Sequence, residues 1–108
     1  MLFSWFETKK SVDFANDLAV EFQKRISPDD LANPTTSIES RLRGAKDLMM
    51  SRTQVFAERN SLNLLSRARL ANTLQWKLKE FGYADDMVQT LVREVTKIVT
   101  LVKVKKIG

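Results

Sequence analysis

The spacing of the apolar residues constrains this chain most: they recur at three- and four-residue steps in four separate segments. That period lays one side of an α-helix against a core, whereas a half-buried strand would alternate at every second residue. The first segment runs near 11–26, where Val12, Ala15, Ala19, Phe22 and Ile26 share a face with Leu18 beside them. The second covers 37–59, the third 61–81 and the fourth 85–103. In the fourth, Val88, Leu91, Val92, Val95, Ile98, Val99 and Val102 form one stripe. Its β-branched residues would also suit a strand, but their spacing favours a helix. The expected fold is all-α, a four-helix bundle-like single domain over 1–108. A short apolar-aromatic N-terminal arm (1–8) and a basic C-terminal tail (103–108) complete it.

Punctuation sets the boundaries. Ser27-Pro28-Asp29-Asp30 stops the first helix, since a residue before proline is pushed out of the α region. Thr36-Ser37-Ile38-Glu39 reads as a capping box opening the second. Gly44 lies inside that helix, where a close approach by another helix would explain it. Neither Gly nor Pro stands near Asn60-Ser61, so the second and third segments can also run on as one continuous helix. Gly82 fits a left-handed helix end with Tyr83 as its apolar contact, and Asp85 or Asp86 can cap the fourth helix.

The third segment carries two stripes. Leu64, Leu70, Ala71, Leu74, Leu78 and Phe81 lie on one side, with Leu65, Ala68 and Trp76, joined by Asn72, almost opposite. Two apolar faces predict a central helix contacted from both sides. The predicted core comprises Ala15, Phe22, Ile26, Leu42, Met49, Phe56, Leu70, Leu74, Leu78, Val88, Leu91, Val95, Ile98 and Val102.

Composition then narrows function. With no Cys and no His among 108 residues, disulfides, thiolate nucleophiles, His-based triads and the usual zinc sites are ruled out. The glycines form no phosphate loop or dinucleotide fingerprint. No enzyme activity and no cofactor are expected. The acidic line Asp13, Asp17, Glu21 belongs to one helix, with Lys24 on the same side, and reads as a solvated face rather than a cation site.

The charge balance is 18 basic against 13 acidic residues, a net of +5. It is uneven: residues 1–30 hold six acids and four bases, and the remainder seven acids and fourteen bases. Such a body can attract nucleic acid, anionic lipid or an acidic protein. Arg41, Arg52 and Arg59 fall in a narrow sector beside the apolar stripe of the second helix, where guanidiniums can rim a protein interface. Arg67 points along the main stripe of the third helix and needs a carboxylate or carbonyl partner, with Glu58, Glu94 or the first-helix acids available.

The leading expectation is a non-catalytic helical protein–protein interaction module, self-associating as a homodimer or else binding another protein. It rests on the two-faced third helix and on seven-residue valine spacing in the fourth. Trp5, Phe6, Arg41, Arg52, Arg59, Arg67 and Trp76 are the candidate partner-binding residues. The alternative is a nucleic-acid-binding protein using Arg41, Arg43, Arg52, Arg59, Arg67, Arg69 and the tail lysines, although no helix-turn-helix or base-stacking pattern accompanies them. No stretch nears the roughly 18 apolar residues that cross a membrane, and no signal-peptide pattern is seen. A cytoplasmic protein is the default, with a membrane not the expected partner. Leu2, Phe3, Trp5 and Phe6 are expected to pack on protein.

Overall fold

The computed structural model describes the backbone of residues 2–102 and the side chains of that stretch other than those of 2–4 and 7. The sequence-predicted tail 103–108 lies outside the described residues, as do the side chains of Leu2 and Phe3. Every described element is an α-helix: α1 (Leu2–Arg25), α2 (Pro28–Ala32), α3 (Thr36–Arg59), α4 (Leu64–Phe81) and α5 (Asp85–Leu101). The four long helices form the all-α bundle that the periodicity predicts, while the stretch 27–30, which ends the first helix as expected, also opens a short helix of its own, α2.

Side-chain contacts fix the arrangement. Phe14 stacks on Phe56 (centroids 4.0 Å apart) and Glu21 meets Arg52, so α1 and α3 run antiparallel. Lys10 lies beside the α3–α4 connection, and Tyr83, just beyond α4, bonds the carbonyl of Ile26 at the end of α1. The first and fourth helices are therefore parallel, and they form the most extensive contact in the bundle. The fifth packs against α4 and α3. Hence α3 and α4, neighbours in sequence, lie diagonally across the core.

The core holds Ala15, Phe22, Ile26, Met49, Leu70, Leu74, Leu78, Val88, Leu91 and Val95, as predicted, together with Leu18, Ala19, Ala45, Ala57, Tyr83 and Val99. Leu42, Phe56 and Val102 are only partly buried against it. The spacing predicts Ile98 in the core, but Val99 takes that position because α5 turns its 88–91–95–99 series inward. Ser11, Thr53 and Ser66 are also fully buried. Ser11, Ala15 and Ala19 form a run of small, fully buried residues on the inward face of α1.

Helix ends correct the sequence reading in detail. Ser27 and Asp30 form the capping box, each backbone N–H donating to the other's side chain, with Pro28 at the first helical position. Thr35, not Thr36, caps α3 and accepts from the Ile38 N–H at 3.1 Å. The possible single helix over 37–81 is broken by two asparagines. Asn60 donates its side-chain amide to the Phe56 carbonyl, and Asn63 caps α4 by accepting from the Ser66 N–H at 2.7 Å.

At the end of α4, Gly82 has φ 102°. The Tyr83 N–H donates to the Leu78 carbonyl (3.2 Å) and the Gly82 N–H to that of Lys79 (3.0 Å), the Schellman pattern. Ala84 is the cap of α5, without a side-chain bond, so Asp85 and Asp86 contribute through the helix dipole instead. Gly44 is exposed, and a Cβ placed there would meet nothing within 4 Å, so no helix approaches it.

Candidate interaction surface

The first helix begins earlier than its periodicity announces, and residues 2–10 continue it past the α3–α4 connection by about two turns. That sequence was expected to form an arm packed on protein. Instead, Trp5 and Phe6 stand more than half exposed on this projecting helix, touching edge to face at 5.0 Å. Val12, which was expected on the core face, is half-buried, and Ser11 takes the buried position.

The starts of α1 and α4 and the ends of α3 and α5 gather at the same end of the bundle. Exposed apolar side chains concentrate there: Trp5, Phe6, Val55, Leu64, Leu65 and Leu101. The spacing puts Leu64 on the main stripe, yet it is 77% exposed, because the first turn of α4 stands at the open end of the bundle.

The outer face of α4 also lacks a partner within the chain. Leu65, Ala68, Asn72 and Trp76 are exposed, Trp76 by 66%. The sequence predicts a helix contacted on both sides, but the chain covers only the Leu70–Leu74–Leu78 side. On α5 the valine series faces the chain's own core, so it offers no free seam for a coiled coil.

The arginines divide. Arg41 pairs with Asp30 at 3.0 Å, tying α3 to α2. The Ser27 N–H holds the Asp30 carboxyl below its ordinary range, and Arg41 adds to this. Arg52 is bonded to Glu21 and lies 5.9 Å over the Phe14 ring, whose other contact is Phe56. It therefore closes the α1–α3 seam. Arg59 is exposed and carries no ion pair among the described residues.

Arg67 is half-buried, and its Nε is buried without a hydrogen bond. The ion pair expected for it does not form among the described residues. The Oγ atoms of Ser11 and Ser66 are likewise buried and unbonded. These serines were missed because a small polar residue gives no periodic apolar signal. Of the acidic line on α1, Asp13 pairs with Lys9 and Glu21 with Arg52 and Arg25.

At the opposite end, a groove of about 500 Å³ runs between α2 and the start of α5, with Tyr83 and Met87 in its lining. Burial of its ring pushes the Tyr83 phenol up to about 12, with the negative charge of Asp30 adding to the effect. The phenol donates to the Ile26 carbonyl and so acts as a tie between helix ends.

No group of three or more His, Cys, Asp or Glu residues placed to hold a metal occurs among the described residues. Nor is any helix among them long and apolar enough to cross a membrane. Compared with protein-family models, curated proteins and solved structures, the chain matches none. The surface itself must supply the functional reading.

Proposed function

We propose that this protein is a non-catalytic helical interaction module that associates with itself. One observation carries the reading: the core is complete within one chain, yet Trp76, Leu65, Leu64, Trp5, Phe6 and Leu101 each leave more than half of their surface in water. Single exposed apolar residues are ordinary, whereas a group at one end and along one helix resembles the centre of a protein contact. Trp supplies large contact area at small entropic expense, and Arg69, two turns earlier on the same exposed face, gives the polar component such contacts commonly have.

Light scattering coupled to size exclusion, run over a wide range of protein concentration, tests this. A mass that rises with concentration toward twice 12.4 kDa supports it. A constant 12.4 kDa contradicts it.

The nucleic-acid reading has its own observation in Arg59 and Arg69, exposed and without ion pairs among the described residues. Against it, Arg41 and Arg52 are already engaged with carboxylates. Titration with duplex and single-stranded oligonucleotides at two salt concentrations separates the readings, since phosphate binding weakens steeply with salt.

A further inference from the structure

We propose that the second copy docks on the outer face of α4, antiparallel to it, about a twofold axis between Arg69 and Asn72. The proposal rests on the self-association reading above and specifies its surface and geometry.

Leu65, Arg69, Asn72 and Trp76 follow one another at four-, three- and four-residue steps, and all four are exposed. On a helix of 3.6 residues per turn they occupy a single narrow sector, facing away from Leu70, Leu74 and Leu78. Ala68 lies beside this stripe and leaves room for a neighbouring backbone. The stripe is apolar at both ends and polar in the middle, a pattern that matches its own reversed copy.

In antiparallel register, Leu65 of each copy lies against Trp76 of the other, and Arg69 lies against Asn72. Each pairing occurs twice, as a twofold contact requires. The guanidinium of Arg69 can donate to the side-chain carbonyl of Asn72, so the polar centre is satisfied and the register fixed.

Charge selects this direction over the parallel one. Within the stripe from Leu65 to Trp76 the charged residue is Arg69, while Lys79 and Glu80, the latter paired with Lys77, flank the stripe on opposite sides one turn further on. A parallel pair would set Arg69 on Arg69 at the centre of the contact. The antiparallel pair carries each Lys79 beyond the start of the other helix. Area is consistent with a second copy: a buried aromatic contributes roughly 150–250 Å². Two tryptophans with their leucines and the polar centre cover on the order of 1,000 Å², the lower bound for a specific contact. A reversible dimer follows rather than a permanent one.

The chain contains no Cys, so Lys79→Cys gives a single attachment point for a spin label. Sedimentation of the wild type comes first. In the dimer, the two labels are expected roughly 25 Å apart or more by electron dipolar spectroscopy, because antiparallel overlap displaces them by some seventeen residues along the axis. A separation below about 15 Å would mean parallel helices and overturn the geometry.

Trp76→Ser and Leu65→Ser are expected to weaken dimerisation tenfold or more while circular dichroism stays unchanged. If either dimerises as the wild type does, the face is wrong although self-association stands. A wild type that sediments as a monomer throughout overturns both proposals.

Discussion

Tyr83 shows how much one side chain can hold. It is the only tyrosine, so absorbance at 295 nm during alkaline titration reports on it alone. Its phenol is buried against Phe22 and donates to Ile26, and its folded pKa of about 12 lies above the ordinary 10. The stabilisation from the neutral phenol is therefore complete below pH 10 and lost as pH rises toward 12. The folded protein should titrate near 12, whereas a midpoint near 10 would place the phenol in water. Asp30 works in the opposite sense. Its folded pKa lies below 3.8, so the stability it brings is present above that value and fades as pH falls below it. Asp30→Asn should therefore lower the urea midpoint at neutral pH, with the difference from wild type shrinking in acid.

Gly44 and Gly82 make a sharper residue-scale contrast. Gly44 sits mid-helix in open space, so Gly44→Ala should raise stability by about 0.5–1 kcal/mol. Gly82 has φ 102°, which an L side chain resists, so Gly82→Ala should lower stability by about 1–2 kcal/mol. Urea unfolding distinguishes the signs. A destabilised Gly44→Ala would mean that another element does cover that position.

At the scale of elements, the connection between α3 and α4 rests on side chains rather than on Gly or Pro. Asn63→Ala should cost about 1 kcal/mol, and Asn63→Ser should recover most of it because its hydroxyl can cap the same turn. Equal urea midpoints for the wild type and Asn63→Ala would remove the cap from the account of this break.

Much of the element layout was legible in the sequence, for identifiable reasons. Leu70, Leu74 and Leu78 announce their helix by spacing, and Gly82 announces its end because few other residues accept that conformation. The exact rotation of α5 was not legible: Ile98 and Val99 are both apolar neighbours, and contact with α3 and α4 decides which turns inward. The length of α1 was hidden too. Trp5 and Phe6 face solvent beyond the bundle, so no core periodicity marks that stretch as helix. Asparagine serves equally in caps, turns and helix surfaces, which left Asn60 ambiguous until its bond to Phe56 was visible.

For the whole molecule, the sequence showed that α4 has two faces without showing which the chain itself would cover. The bundle uses one and leaves Trp76 and Leu65 on the other. Association through that face has a thermodynamic signature, because a partner that binds only the folded chain stabilises it by mass action. The most direct measurement is thermal unfolding at protein concentrations about a hundredfold apart, for wild type and Leu65→Ser/Trp76→Ser side by side. Self-association through α4 predicts a wild-type midpoint that rises with concentration and a variant midpoint that does not. At the lowest concentration, where both are monomers, the variant should lie modestly below the wild type, through the buried part of Leu65 and Trp76 and the lower helix propensity of serine, and this offset should not itself depend on concentration. A wild-type midpoint independent of concentration, or a variant midpoint that rises with concentration as the wild type's does, would contradict it.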